Sequence, residues 1–191
     1  MKFIRKNIIG LAALGLALAL WTSCNKDEQV VSPPLPGNEF MTTVKLIAVN
    51  ANDPSDADTA SWVDLDPAGS RQPDLSNAFL DLKANATYNV QLQFWDESKT
   101  PAEDITPEIK ERANYHLICF TPQGGLNLTV NRTDHDGNNP PLPVGLQDNF
   151  VTGAASSGDL NVKLRHQPNV KDGTCDPGST DADVDFQINI Q

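Results

Sequence analysis

Imidazole and thiol side chains are the groups of this chain best suited to bind a transition metal or to attack a substrate. Besides Cys24, which belongs to a separate motif, they are His116, His135, His166, Cys119 and Cys175. His116 and Cys119 are three residues apart, a spacing that places two side chains on one face of a helix but on opposite faces of a strand. Because a strand is expected there, we do not expect His116 and Cys119 to bind the same metal ion.

A transition-metal site could still form if the strands that carry His116 and His166 adjoin, with Cys119 or Cys175 as a further ligand. His166 falls on the apolar series of its strand, so it is expected at the rim of the core. The alternative to a metal site is a set of structural histidines held by hydrogen bonds.

A second set of candidate metal ligands lies in the loop 134–139. Asp134, Asp136 and Asn138 place oxygen atoms at alternate positions, the spacing by which calcium-binding loops gather their ligands. Gly137 comes two residues too early for the EF-hand pattern, and no glutamate follows at the twelfth position. The alternative is a hairpin turn that binds no ion. A divalent metal is therefore the one cofactor that the sequence brings into consideration.

The usual sequence signatures of catalysis are missing. The chain has no G-x-S-x-G elbow, no HExxH motif and no phosphate-binding glycine loop. We therefore expect a protein that is not an enzyme, although a buried His–carboxylate pair opening into a cleft would favour a hydrolase. The net charge of −11 and the lack of a basic run beyond residue 6 exclude a nucleic-acid groove, which needs clustered Lys and Arg.

Alternation of apolar and polar residues predicts the elements that position these side chains. A period of two predicts strands at 88–94, 126–130, 160–164 and 182–190, and weaker patterns predict strands at 42–49, 61–66, 77–82 and 117–121. Only 106–114 has a helical pattern, with Thr106 as a candidate cap and Pro107 in the first turn.

One short helix cannot cover both faces of a parallel sheet. The expected fold is therefore all-β, a two-sheet antiparallel sandwich of immunoglobulin-like character with the helix at its edge. A small β-barrel is the alternative.

The first residues have the layout of an export signal. Lys2, Arg5 and Lys6 precede an uncharged, largely apolar stretch that is shorter than the roughly 20 residues a spanning helix needs. The residues Leu20 to Cys24 resemble a bacterial lipobox, which predicts a signal peptide over 1–23 and a lipidated Cys24. Fatty acyl chains such as palmitate on Cys24 would anchor the remaining 168 residues in a membrane.

A polar, proline-broken stretch follows the lipidated cysteine. Residues 24–39 are predicted to be a flexible tether and 40–191 a single domain. Directly after Cys24, the run Asn25-Lys26-Asp27-Glu28 resembles the signal that sends Bacteroidetes lipoproteins to the outer face of the outer membrane. In such an exported domain disulfides persist, so Cys119 and Cys175 are either paired or two independent thiols.

Longer motifs extend the resemblance to a family of small Bacteroidetes surface lipoproteins. They include the run from Asp96 to Ile109, the Leu117-Ile118-Cys119-Phe120 strand, and Leu164-Arg165-His166-Gln167-Pro168. Some members are labelled with the type 1 periplasmic-binding fold, which alternates strands and helices over two lobes, and one predicted helix does not fit that fold. The resemblance implies an accessory role beside a TonB-dependent receptor that takes up metals or metal chelates.

These observations lead to two expectations about function. The first is a non-enzymatic surface lipoprotein that binds a ligand or a receptor. The second is a structural or adhesive module of the cell envelope, for which an exposed apolar patch or a free edge strand would speak.

Overall fold

Strands dominate the computed structural model, which describes residues 41–191. In chain order they are β1 (Thr43–Asn50), β2 (Ala57–Val63), β3 (Asp74–Asn77), β4 (Phe79–Leu82), β5 (Thr87–Asp96), β6 (Glu103–Asp104), β7 (His116–Pro122), β8 (Leu128–Arg132), β9 (Gln147–Thr152), β10 (Ser156–His166) and β11 (Ser179–Ile190). The helix α1 (Thr106–Glu111) and a 3-10 turn (Ala113–Tyr115) lie between β6 and β7.

Two sheets form from these strands. One sheet has the order β3-β2-β1-β5-β9-β8, with β6 added beside β5, and the other has the order β4-β11-β10-β7. Every pairing is antiparallel except that of β4 with β11, which is parallel. Both sheets end in edge strands and do not close on themselves, so the predicted all-β sandwich is confirmed.

The core lies between the two sheets and follows from the alternation of apolar residues. From the first sheet, Leu46, Leu92 and Phe150 are fully buried, and Phe186 and Leu160 face them from the second. Tyr88 is also buried in the core, and its hydroxyl donates to Asp56 at 2.8 Å while it accepts the Lys83 amide at the same distance. Polar side chains occupy most of the alternate, outward positions, and each strand is therefore held in a single register.

The helix is shorter than predicted. α1 ends at Glu111, and the chain continues to Tyr115 as a 3-10 turn. Thr106 does not cap it, because the N-cap is Ile105 and the Thr106 hydroxyl instead accepts the Phe94 amide at 2.9 Å. This bond and the buried Ile109 hold the helix against the end of β5.

Several strands differ from the sequence prediction: the strand expected at 77–82 is divided into β3 and β4, and β6 was not expected. The second strand, expected at 61–66, runs from Ala57 to Val63, and β9 was not predicted at all. In β9 two of the inward positions are polar, Asp148 and Thr152, and they interrupt the apolar alternation.

The segment 167–178 covers the outer side of β7. Cys119 and Cys175 form a disulfide with an S–S distance of 2.00 Å. Gln167 is fully buried, and its side-chain amide donates to the carbonyls of Thr174 and Pro177. The disulfide and these hydrogen bonds together fix the segment against the sheet.

In residues 41–191 no helix is long and apolar enough to span a membrane. The predicted signal peptide (1–23), Cys24 and the predicted tether (24–39) lie outside the described residues.

Candidate functional site

Three segments meet at one end of the sandwich, which we call the loop end: α1 with its 3-10 turn, the β8–β9 connection 133–146, and the segment 167–178. The connection is tied to the sheets at its base, where the Ile118 amide donates to the Val144 carbonyl at 2.7 Å and the Thr133 amide to Gln147 at 2.8 Å. The described chain also enters the sandwich at this end, since Thr43 pairs with Trp95 near the end of β5.

The carboxylates predicted to bind calcium accept hydrogen bonds within the 133–146 connection. Asp134 accepts the amides of Gly145 and Leu146 at 2.7 and 3.0 Å. Asp136 accepts the amides of Asn138 and Leu142, and the Asn138 side chain donates to it as well. These oxygens act as acceptors for the loop backbone, as in a hairpin connection built on Asx turns.

A buried ion pair joins this connection to the segment 167–178. Lys171 Nζ lies 2.8 Å from Asp136 Oδ2, and the two side chains are 1 % and 0 % exposed. The ammonium also donates to the Ala113 carbonyl at 2.9 Å, which brings the 3-10 turn into the same network. Burial raises the pKa of Asp136, but the Lys171 ammonium and the backbone amides outweigh it and hold that pKa below its usual value.

Two cavities of about 390 and 400 Å³ adjoin at the loop end and share Asn114 and Asn138. The first lies between α1 and the 133–146 connection, and its polar lining includes Lys110, Glu111 and His135. The second lies between the 3-10 turn and the segment 167–178, and its lining includes Tyr115, Asn139, Asn169 and Asp172. Most of these side chains carry both hydrogen-bond donors and acceptors or a charge, so the lining suits a polar ligand.

The histidines predicted to share a metal site do meet, but with a different partner. His116 opens β7 and pairs with His166 at the end of β10, and their rings stack with centroids 5.2 Å apart. The third member of this group is Asp181, whose Oδ2 lies 3.9 Å from His116 Nε2. The cysteines take no part because they are joined to each other.

Asp181 reaches the histidines through an irregularity of β11. The register passes from the Leu164–Ala182 pair to the Arg165–Thr180 pair, so Asp181 is the extra residue of a β-bulge. A bulge re-aims side chains locally, and here it places a carboxylate beside the two rings. Sequence alternation alone carries no signal for such an insertion, and Asp181 was therefore not predicted.

Burial disfavours the charged forms of both His116 and Asp181. Loss of solvent and the neighbouring His166 lower the pKa of His116 to about 4, and loss of solvent raises the pKa of Asp181. The contact is therefore not an ion pair at neutral pH. Neither side chain lines either of the two cavities of the loop end.

The other predicted ligands remain apart from this group. His135 is exposed and lies in an isolated bridge with Pro143. Within residues 41–191, no group of three or more His, Cys, Asp or Glu side chains is arranged to surround a metal ion. The metal set predicted from His116, His166, Asp134, Asp136 and Asn138 is therefore divided between two places in the fold.

A further buried carboxylate lies behind the cavities. Asp148 is 2 % exposed, and neither of its oxygens has a hydrogen-bond partner among the described residues. Burial and the nearby Asp134 raise its pKa to about 8, against the opposing effect of Arg132. Asp148 is therefore mostly protonated at neutral pH.

Comparison of this chain with protein-family models, with curated proteins and with solved structures finds no match.

Proposed function

We propose that this protein is a lipid-anchored outer-membrane surface lipoprotein that acts as a binding module, not as an enzyme, for a TonB-dependent receptor taking up metals or metal chelates. The observation that carries the binding role is the pair of adjoining polar cavities at the loop end. The anchor and the receptor rest on the lipobox-like residues before Cys24 and on the family resemblance.

The cavities have the size of a small-molecule site, and an ion pair joins two of the segments that form their walls. Each volume, about 390 and 400 Å³, falls in the range of small-molecule sites. The buried Lys171–Asp136 pair fixes two of the three segments that form their walls. A site that is already ordered loses less conformational entropy on binding, which favours affinity.

The chemistry of the lining favours a polar ligand of mixed charge. Lysine, carboxylate, imidazole and amide groups surround the cavities, and Tyr115 adds an aromatic ring. A metal chelate presents carboxylate or hydroxyl groups that can pair with these lining groups. A receptor loop with polar and charged side chains could bind to the same surface.

An adhesive or structural module is the second candidate, and a different part of the fold favours it. β3 is an edge strand whose four residues are all exposed, with Leu75 at 57 %. Phe79 is 45 % exposed at the start of the next strand. An exposed edge with apolar side chains is a surface on which another chain can add a strand.

Purification of the full chain from solubilised outer membranes tests the proposal. We expect a TonB-dependent receptor to co-purify in near-equal amount. Asn114 lines both cavities, so Asn114→Trp should fill them and remove the receptor, whereas Gln123→Trp in the turn at the opposite end should not. Absence of the receptor, or equal loss with both variants, would contradict the proposal.

A further inference from the structure

The group formed by His116, His166 and Asp181 contains a carboxylate oxygen that the described protein leaves unsatisfied. The Asp181 side chain is 7 % exposed, and its Oδ1 atom has no hydrogen-bond partner among residues 41–191. An unsatisfied buried carboxylate oxygen costs free energy, because water no longer solvates it. Asp181 Oδ1 therefore needs a partner that the described residues do not supply.

The opposing imidazole cannot donate to Asp181 in its neutral form. His116 Nδ1 lies 3.1 Å from the Arg112 carbonyl oxygen, which can only accept, so Nδ1 carries the proton. This tautomer leaves a lone pair on Nε2, the atom 3.9 Å from Asp181 Oδ2. When Asp181 is ionised, two acceptors therefore face each other in a buried place.

The neighbouring cation does not fill the gap. Arg165 precedes His166, and its guanidinium donates to the carbonyls of Asp176, Pro177 and Gly178 in the segment 167–178. It also donates to the Thr180 hydroxyl. These bonds direct Arg165 to the loop, and its charge acts on Asp181 without a hydrogen bond between them.

We propose that His116 Nε2 and Asp181 bind a divalent transition-metal ion of the zinc class. Metal–ligand bonds of about 2.0–2.1 Å place two ligand atoms about 3.4 Å apart at a tetrahedral angle and at most about 4.2 Å apart. The observed 3.9 Å exceeds the tetrahedral separation, so binding at that angle would draw the two atoms about 0.5 Å closer together. An imidazole with a carboxylate selects zinc or its neighbours over calcium or magnesium, which bind through oxygen alone.

The proposed site has two protein ligands, so water or donor atoms of a small chelator would have to complete the coordination. His166 stacks on His116 and acts as a positioning residue that holds the ring toward Asp181. The Arg112 carbonyl fixes the tautomer from the other side, as the outer partners of metal-bound histidines do. The site is separate from the cavities, so it can bind metal whether or not they bind a ligand.

Titration of the full chain, purified in detergent without a histidine tag, tests this inference with Zn²⁺ by calorimetry and with Co²⁺ by its visible spectrum. We expect one ion per chain and a Co²⁺ spectrum that is typical of nitrogen and oxygen ligands. Asp181→Asn and His116→Gln should each weaken binding at least tenfold. His166→Gln should weaken it less, and His135→Gln, at an exposed histidine outside the group, should leave it unchanged.

Folding of the variants is checked without metal by circular dichroism and thermal melting. A second measurement avoids substitution altogether: in NMR spectra of the unmodified chain, Zn²⁺ should shift the imidazole signals of His116 and His166 but not those of His135. No stoichiometric binding, binding that survives Asp181→Asn, or a shift at His135 alone would overturn the proposal.

Discussion

Two buried Asp side chains of this protein are not fully hydrogen-bonded within the described residues. Asp148 lies on the inward side of β9 and Asp181 on the bulge of β11, and both have an oxygen without a partner among the described residues. Neither was identified from the sequence, because an Asp in a strand ordinarily marks the solvent face. The residues that were singled out, Asp134 and Asp136, use their oxygens to hold backbone amides.

Asp148 should give the folded protein a distinctive dependence on pH. Its pKa is about 8 in the folded state and near 3.8 when unfolded, so the native state holds a proton that the unfolded chain releases. The free energy of unfolding that Asp148 contributes therefore falls as the pH rises from about 4 to about 8. Asp148→Asn mimics the protonated group, and its stability relative to the native chain should rise by several kcal/mol over that range, because each pKa unit corresponds to about 1.4 kcal/mol.

Urea unfolding at pH 4.5, 6 and 8 measures this difference. Asp159→Asn, at an exposed position of β10, is the matched control and should show no such trend. A constant difference between Asp148→Asn and the native chain over the range would show that Asp148 is ionised in the folded state.

Gly178 and Gly125 differ in the space that surrounds an added side chain. Gly178 and Gly125 both have positive φ, 84° and 82°, so alanine is strained at either position. A Cβ on Gly178 would lie 2.1 Å from the His166 carbonyl, whereas nothing lies within 4 Å of one on Gly125. Chemical denaturation should show a loss of about 1–2 kcal/mol for Gly125→Ala and of roughly 3 kcal/mol or more for Gly178→Ala. Equal losses would mean that the backbone at Gly178 can move away from His166.

At the scale of elements, apolar alternation was sufficient to predict a strand wherever one face of that strand is uniformly apolar. β5, β10 and β11 were predicted for this reason, and the two-sheet architecture followed from them. β9 was missed because polar Asp148 and Thr152 face inward. The pairing of His116 with His166 depended on which strands adjoin, a property of topology that strand patterns do not contain.

The disulfide should contribute strongly to the stability of the loop end. Cys119 and Cys175 are 56 residues apart, and closing a loop of that length stabilises the folded state by about 4 kcal/mol in the chain-entropy account. The double variant Cys119→Ala, Cys175→Ala should therefore unfold at a markedly lower guanidinium concentration, and reduction of the native chain should have the same effect. A shift corresponding to less than about 1 kcal/mol would indicate that the hydrogen bonds of Gln167 and Arg165 hold the segment without the disulfide.

At the scale of the whole molecule, several candidate binding features collect at one end of the sandwich, while a third cavity of about 520 Å³ lies between 126–129 and 151–154 at the opposite end. The two adjoining cavities, the buried Lys171–Asp136 pair and the disulfide-held segment all lie at the loop end. The described chain also enters the sandwich at this end. The apolar edge at Leu75, which favours adhesion, lies on a different strand at the margin of the first sheet.

Site-specific photo-cross-linking on intact cells tests the central claim, that the loop end is the binding end. A photoreactive residue is placed at Asn139 in a cavity wall, at Leu75 on the edge strand, or at Gln123 in the turn at the opposite end. We expect a cross-link to a TonB-dependent receptor from position 139 and none from 75 or 123. A receptor cross-link from position 75 or 123 but not from 139 would contradict it.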